Sequence, residues 1–175
     1  MTMPDHMRAI VVMGVSGCGK TSVATALCER LGWRLIEGDA FHPEHNVRKM
    51  EAGIPLDDAD RKDWLDSLGM ELANAASARR PVVLTCSALK RRYRDTLRRA
   101  TPHLGFVFLE LSREAAAERV ARRSGHFMPA SLVNSQFRDL EPPVGEARVL
   151  TVDALDPLAA TVERIVAWWS AGAAG

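Results

Sequence analysis

The chain has 175 residues, of which 47% are apolar and 26% are charged, and its formal net charge is +1. This length predicts a single domain over residues 1–175, because one hydrophobic core usually forms in about 100 to 200 residues. The balance of charges argues against nucleic-acid or membrane-surface binding, and every apolar run is far shorter than the roughly 20 residues that span a bilayer.

The N-terminal segment and the cysteines predict a cytoplasmic protein. The opening MTMPDHM has neither the basic flank nor the apolar core of a secretion signal. Cys18, Cys28 and Cys86 are odd in number and widely spaced. This pattern favours reduced thiols over a disulfide framework or a structural zinc site.

Short apolar runs predict the strands of a parallel sheet. They cover residues 8–13, 34–39, 81–87, 105–111 and 148–154, and longer amphipathic segments separate them. Continuous apolar runs are typical of strands that are buried on both faces. The alternation predicts a doubly wound α/β fold, with a core over about residues 8–170 and ligands beyond the carboxyl ends of the strands.

The first predicted strand leads directly into GVSGCGKT, residues 14–21. This segment matches G-x-x-x-x-G-K-[ST], and the sequence after it favours a helix. Glycines let successive backbone N–H groups turn toward a phosphate, and the helix N-terminus adds partial positive charge. We expect Lys20 to reach the β- and γ-phosphates of a nucleotide, and the Thr21 hydroxyl to help hold Mg²⁺.

Other features exclude two common classes of P-loop protein. A GTPase should carry Asn-Lys-x-Asp for guanine, and the sequence lacks this motif. The third predicted strand ends in Cys86 and Ser87 instead of the acidic residue expected in a hydrolysing ATPase. The chain is also too short for the extra elements of a typical motor. These exclusions favour a small-molecule kinase.

Polar residues after the second predicted strand are candidates for the acceptor side of a phosphoryl transfer. Asp39 is predicted to orient an attacking hydroxyl and is the candidate for accepting its proton, although alone it would suggest a helix cap. Glu37 is a candidate for holding Mg²⁺ through water. His42, Asn46 and Lys49 would share one helical face if this segment is helical.

Two more polar groups are predicted at the same edge of the sheet. Ser87 and Lys90 follow the third strand, and Arg61 has a side chain suited to binding a carboxylate through two hydrogen bonds. Taken singly, each charge would more often be a solvated surface group. Their convergence with residues 39–49 favours a small, anionic, hydroxyl-rich acceptor over an aromatic base.

A closing segment covers residues 118–137, with a helix predicted to break at Gly125 and to resume after Pro129. Such a segment suggests a movable lid, although a basic solvated helix is the alternative. Arg119 and Arg123 lie four residues apart, so both would face the transferring phosphate, neutralise its charge and help exclude water. The segment DALDP after the last strand is a candidate resting place for adenine.

Together these motifs resemble the small bacterial-type gluconokinases, P-loop kinases related in fold to shikimate and adenylate kinases. The resemblance rests on GVSGCGKT, GDAFHPEHNVRKM, CSALKRRYRDTLR and GHFMPASLVNSQF and covers about residues 9–160. It implies ATP-dependent phosphorylation of the 6-hydroxyl of D-gluconate. It also implies a five-stranded parallel sheet in the order 2-3-1-4-5, a mobile lid over about 122–136, an acceptor-binding region over about 39–65, and commonly a homodimer.

The resemblance implies roles for individual residues. The implied nucleotide contacts are Gly14, Val15, Ser16, Gly17, Cys18, Gly19, Lys20, Thr21, Ser22, Arg119 and Arg123. The implied acceptor contacts are Asp39, His42, Asn46, Lys49, Arg61, Ser87, Lys90 and Gln136. The implied catalytic residues are Lys20, Asp39 and Arg123, and the implied Mg²⁺ site is Thr21 with Glu37 acting through water.

Two residues depart from the family pattern, and two other functions stay open. Glu37 stands where the family usually has Asp, and Asp63 stands where it often has Pro, but neither change removes a group that the reaction needs. One alternative is the same fold acting on another sugar acid, shikimate or a nucleotide. The other is a nucleotide-binding regulator or nucleic-acid module that uses KRRYR, which the near-neutral charge disfavours.

Overall fold

The computed structural model describes residues 7–122 and 130–172. Its strands are β1 (Ala9–Met13), β2 (Arg34–Glu37), β3 (Val82–Thr85), β4 (Gly105–Glu110) and β5 (Val149–Asp153). They form one five-stranded sheet in the order β2-β3-β1-β4-β5. Every neighbouring pair is parallel, and Val11 of β1 aligns with Leu84 of β3 and Phe106 of β4. The predicted α/β fold and the order 2-3-1-4-5 are confirmed.

Helices alternate with the strands along the chain. They are α1 (Lys20–Leu31), α2 (Glu44–Glu51), α3 (Asp58–Ser77), α4 (Arg91–Ala100), α5 (Arg113–Arg122), α6 (Ala130–Asp139) and α7 (Leu158–Ser170), with a 3-10 turn at Gly38–Phe41. The predicted break at Gly125 lies outside the described residues, and α6 starts directly after Pro129, as predicted. No helix in the described part of the chain is long and apolar enough to cross a membrane.

The core lies on both faces of the central strand, β1. Ile10, Val11, Val12 and Met13 are fully buried. Ile10 and Val12 pack with apolar residues of α1 and α7, whereas Val11 and Met13 pack with those of α3 and α4. Successive side chains of a strand point to opposite faces, so this one short strand supplies both layers. That placement explains why its sequence is apolar at every position.

The three cysteines belong to this core. Cys18, Cys28 and Cys86 are buried and form no disulfide, which agrees with the predicted reduced thiols. Burial raises the pKa of Cys28 to about 11 and that of Cys86 to about 12. Since the thiolate is the reactive form, both side chains act as small apolar groups at neutral pH.

Strands β2 and β3 end earlier than the sequence predicted, so residues 38–39 and 86–87 leave the sheet. The chains are very close there: a Cβ on Gly38 would lie 2.0 Å from the carbonyl oxygen of Thr85. The indole N–H of Trp64 in α3 donates to the carbonyl of Gly38 at 2.8 Å. These contacts fix a polar turn at the carboxyl edge of the sheet.

Candidate active site

The loop between β1 and α1 has the backbone shape of a phosphate-binding loop. Gly14 and Gly19 have φ values of 145° and 94°, which residues with a side chain rarely adopt. A Cβ on Gly14 would also lie 2.8 Å from Cys18 Sγ and 2.9 Å from the carbonyl oxygen of Leu109. The loop ends at Lys20, the first residue of α1, so it presents backbone N–H groups at a helix N-terminus.

Lys20 is held inside this loop by backbone oxygens. Its Nζ donates to the carbonyl of Gly14 at 3.0 Å and to that of Val15 at 3.1 Å. Among the described residues, it forms no ion pair with a carboxylate. The ammonium charge is therefore positioned but not neutralised, which suits it to a phosphate.

A pocket beside the loop is a candidate for the nucleotide site. It is lined by Gly17, Cys18, Gly19, Ser22, Val23, Leu109, Arg119, Arg122, Asp153, Ala154, Asp156, Leu158 and Thr161. Arg119 of α5 crosses the pocket: its Nη1 donates to the carbonyl of Gly17 at 3.2 Å and its Nη2 to that of Ala154 at 3.1 Å. The predicted adenine segment thus forms one wall. Arg123 lies outside the described residues.

A cluster of side-chain oxygens adjoins the first turn of α1. The hydroxyl of Thr85 donates to Glu37 Oε2 at 2.7 Å and accepts from the N–H of Gly38 at 3.1 Å. Thr21 Oγ1 lies 3.4 Å from the same carboxylate oxygen. A hydroxyl and a carboxylate beside a phosphate loop are the hard oxygen ligands that Mg²⁺ prefers, so these residues fit the predicted site.

A second cavity also borders the phosphate loop, and its lining includes several residues that the sequence predicted to contact the acceptor, so we call it the acceptor cavity. It is lined by Ser16, Lys20, Asp39, His42, Met50, Pro55, Leu56, Arg61, Trp64, Ser87, Leu132, Ser135 and Gln136. Asp39 lies in the 3-10 turn, and its side chain is 87% exposed. Asp39 and Lys20 line the same cavity, although they follow different strands.

Arg61 is the buried cation of this cavity. Only 6% of its surface is exposed, and its Nη1 donates to Tyr93 Oη at 3.1 Å and to Asp139 Oδ2 at 3.0 Å. Burial alone would lower the pKa of Arg61, but these two bonds outweigh it and raise that pKa above its ordinary value. Nε and Nη2 make no hydrogen bond to the described residues, so one edge of the guanidinium is available to a ligand.

Three predicted acceptor contacts do not line this cavity. Asn46 is fully buried behind His42, while Lys49 Nζ pairs with Asp60 Oδ2 at 2.5 Å. Lys90 Nζ pairs in the same way with Asp58 Oδ1 at 2.9 Å. The hydrogen bond from Lys49 lowers the pKa of Asp60, and the hydrogen bond to Asp58 raises the pKa of Lys90, so both pairs stay charged at neutral pH. Contact with an acceptor stays a prediction for all three.

Helix α6 forms the wall of the cavity nearest the phosphate loop. The side chain of Gln136 accepts a hydrogen bond from the N–H of Ser16 at 2.6 Å. Leu132 and Ser135 on the same helix are buried and face the same cavity. Gln136 was the least secure of the predicted acceptor contacts. Its hydrogen bond links α6 directly to the phosphate loop.

A buried ionic network holds the loop that carries Ser87. Arg94 of α4 is fully buried, and its Nη1 donates to the carbonyls of Ala88 at 2.7 Å and Leu89 at 3.1 Å. It also pairs with Glu146 Oε2 at 2.6 Å, and Arg98 reaches the other oxygen of that carboxylate at 2.8 Å. Arg94 thereby connects the loop that carries Ser87 to the segment before β5.

Sequence reasoning missed the residues that support the predicted ones. Trp64 stacks on His42 with ring centroids 4.2 Å apart, and Thr85 orients Glu37. Tyr93 and Asp139 hold Arg61. A surplus of carboxylates at residues 57–60 was visible in the sequence, but which cation each one faces depends on how α2, α3 and α4 pack.

Comparisons with known proteins agree with this architecture. Residues 10–143 match a family model described as an AAA domain. A gluconokinase from Gluconobacter oxydans (strain 621H) is 52% identical over 145 residues, covering 83% of this chain and 82% of the relative. The crystal structure of a gluconokinase from Sinorhizobium meliloti 1021 is also 52% identical, with a TM-score of 0.85, and covers 93% of this chain and 91% of that chain.

The likeness to shikimate kinase is of another kind. The crystal structure of the enzyme from Bacteroides thetaiotaomicron covers 93% of this chain and 98% of that chain with a TM-score of 0.67, but only 16% of residues are identical. At that identity the shared feature is the fold. The identity to the gluconokinases is high and extends over most of the chain. The chain therefore belongs to the gluconokinase family of P-loop kinases.

Proposed function

We propose that this chain transfers the γ-phosphoryl group of ATP to the 6-hydroxyl of D-gluconate, giving 6-phospho-D-gluconate and ADP. The observation that carries the proposal is the shared cavity of Lys20 and Asp39. One residue is a cation from the phosphate loop, and the other is a carboxylate from the acceptor side. Phosphoryl transfer needs little more than this positioning, together with stabilisation of charge.

The donor side is assigned to the phosphate loop and the oxygen cluster. Backbone N–H groups of residues 17–21 would hold the phosphates, with Arg119 above the loop, and Arg123 is proposed to join them from outside the described residues. Thr21 and Glu37 would hold Mg²⁺, with Glu37 acting through water. When bound, Mg·ATP supplies the phosphoryl group and the cation neutralises part of its charge.

On the acceptor side, Asp39 would accept a hydrogen bond from the 6-hydroxyl and take its proton as transfer proceeds. The edge of Arg61 formed by Nε and Nη2 would bind the carboxylate of gluconate through two hydrogen bonds, because Arg61 lines the cavity and its Nη1 is already engaged. Ser87 and Gln136 would contact the other hydroxyls, and His42 would border the acceptor beside Asp39. Lys49 and Lys90 would have to exchange a carboxylate partner to reach the acceptor.

The decisive assay is ADP release with a panel of acceptors: gluconate, other sugar acids, shikimate and AMP. We expect release above the water background with gluconate and none with shikimate or AMP. Asp39→Asn removes the proton acceptor at nearly constant size and should abolish the gluconate-dependent rate. Turnover with another acceptor and none with gluconate would overturn the substrate while leaving the kinase class intact.

Two further proposals rest on the family resemblance. We propose that the protein is a homodimer and that it acts in the cytoplasm. Sedimentation at micromolar concentration and fractionation of the source cells test them. A monomer in the first measurement, or recovery outside the cytoplasmic fraction in the second, would contradict them.

A further inference from the structure

Asn46 is one of the few fully buried polar side chains near the acceptor cavity, and its amide contacts two neighbours. Its Nδ2 donates to the backbone carbonyl of Asp60 at 2.9 Å and lies 3.2 Å from His42 Nδ1. Its Oδ1 is buried with no hydrogen-bond partner among the described residues. A buried unpaired carbonyl costs stability, so a general packing role would be served better by an apolar residue of the same size.

The carbonyl of Asp60 fixes which way the amide points. A backbone carbonyl only accepts, so the nitrogen of Asn46 must face it, and a flipped amide would bring two oxygens together. The second hydrogen of the same NH₂ group then points at His42 Nδ1. Since that hydrogen must be accepted, Nδ1 carries the lone pair and the imidazole proton is on Nε2.

The ring of His42 is held so that Nε2 faces Asp39. It stacks on Trp64 at an interplanar angle of 16°, its side chain is only 4% exposed, and Nε2 lies 3.8 Å from Asp39 Oδ1. This separation is longer than a hydrogen bond. The Asp39 side chain is largely exposed and can rotate, and such contacts commonly tighten when a substrate binds.

We propose that Asn46 is a positioning residue that locks His42 in the neutral tautomer with its proton on Nε2, so that His42 orients the Asp39 carboxylate. An N–H donated to one carboxylate oxygen leaves the other free to accept the proton of the acceptor hydroxyl. Asn46 therefore acts through His42 and does not touch the acceptor. This inference rests on the proposed kinase function only for its kinetic consequence.

The charges around His42 agree with a neutral ring. Burial lowers its pKa below 6.5, and Arg61, which faces it from α3, lowers it further, while Asp39 acts in the opposite direction. The net effect is a lowered pKa, so the ring is uncharged at neutral pH. A neutral ring has two tautomers, and the amide of Asn46 selects between them.

The first test reads the tautomer without any assay of activity. In the full-length protein labelled with ¹⁵N-histidine, at pH 8, we expect His42 Nδ1 at a pyridine-type chemical shift and Nε2 at a pyrrole-type shift. His42→Gln assigns the signal, and exposed His45 in the following helix α2 supplies an internal reference for exchange between tautomers. A pyrrole-type Nδ1 or a charged ring at this pH would overturn the proposal, whatever the substrate.

The second test separates positioning from binding. Asn46→Leu keeps the size but cannot hold the tautomer, so we expect mixed tautomers and a kcat that falls roughly ten- to a hundredfold, with KM for gluconate essentially unchanged. His42→Gln should retain more kcat than His42→Asn, because only the Gln amide reaches the position of Nε2. A raised KM with unchanged kcat in Asn46→Leu would place Asn46 against the acceptor and overturn the proposal. If Asn46→Leu does not fold, the wild-type spectrum still decides.

Discussion

The two sides of the active site are built in opposite ways. The phosphate loop is one continuous segment that uses backbone N–H groups and a single lysine, whose Nζ bonds only carbonyl and thiol groups among the described residues. The acceptor cavity gathers side chains from several segments, and its buried cation, Arg61, is paired with Asp139. In the proposed reaction, the phosphate would contact a cation with no carboxylate partner, whereas the acceptor would contact side chains already held by ion pairs and hydrogen bonds.

Because of this difference, we expect substitutions on the acceptor side to lower mainly the stability and substitutions in the phosphate loop to lower mainly the reaction rate. Breaking the network of the acceptor side should cost folding free energy, because it leaves buried charges unpaired. Removing the lysine of the phosphate loop should cost rate with little change in stability, since its charge has no buried partner. The following substitutions test that division.

The largest expected effect is on stability, from Arg94→Met. It leaves Glu146 Oε2 and the carbonyls of Ala88 and Leu89 without the donor that Arg94 supplies, so we expect the free energy of unfolding to fall by about 3–5 kcal/mol. Urea denaturation followed by circular dichroism measures it. Arg91→Met is the matched control on the same helix, with a side chain that is 64% exposed. Equal losses in the two variants would show that the buried network is not what stabilises the loop.

Lys20→Met tests the phosphate loop. We expect kcat to fall about a hundred- to a thousandfold, as when one preorganised donor to a transition state is lost. The unfolding midpoint in urea should hardly move. Lys62→Met, on the surface of α3, should leave both kcat and stability unchanged. A Lys20 variant that unfolds early but retains its kcat would reverse the division between the two sides.

Glu146→Gln gives the network a pH signature. Burial raises the pKa of Glu146, but hydrogen bonds from Arg94 and Arg98 outweigh it, so its pKa in the folded protein is below the ordinary 4.5. Its stabilisation is complete above that ordinary value and is lost as the pH falls through the folded pKa. We expect the wild type to be more stable than the variant by about 1.5–3 kcal/mol at pH 7. The gap should close on acidification, and a gap that is constant with pH would contradict this account.

The smallest expected effect is on the Mg²⁺ requirement, from a change in the oxygen cluster of Thr21, Glu37 and Thr85. Thr85→Val removes the hydroxyl that holds Glu37, so we expect the Mg²⁺ concentration for half-maximal rate to rise about tenfold. Thr85→Ser keeps the hydroxyl and serves as the control. Titration of MgCl₂ at constant ATP makes the comparison. An unchanged requirement in Thr85→Val would mean that Glu37 needs no such support.

The sequence predicted the phosphate loop in more detail than the acceptor cavity, because local contacts leave a sequence pattern and long-range contacts do not. The phosphate loop is local, so glycine and lysine spacing within residues 14–21 was enough, and the apolar runs predicted the strands to within two residues at each end. The strand order came from the resemblance. Partners on the acceptor side are distant in sequence: Asp139 lies 78 positions from Arg61, and no local pattern links them.

The role of Asn46 could be predicted only in part from the sequence pattern. Helix α2 forms at Glu44–Glu51, so it holds Lys49 and Asn46 at helical spacing, whereas His42 lies before the helix. Spacing could not show that the amide of Asn46 would turn to the carbonyl of Asp60 instead of the cavity, because that contact depends on how α2 packs against the start of α3.

The central claim is that the phosphate loop and the acceptor cavity meet at one primary hydroxyl. The most direct measurement is ³¹P NMR of the product formed from gluconate and Mg·ATP by the purified chain. We predict one new phosphomonoester signal, split by the two protons of the C6 methylene into a triplet or a doublet of doublets, and no such signal with Asp39→Asn. No new phosphomonoester, or a doublet from a secondary hydroxyl, would contradict the account.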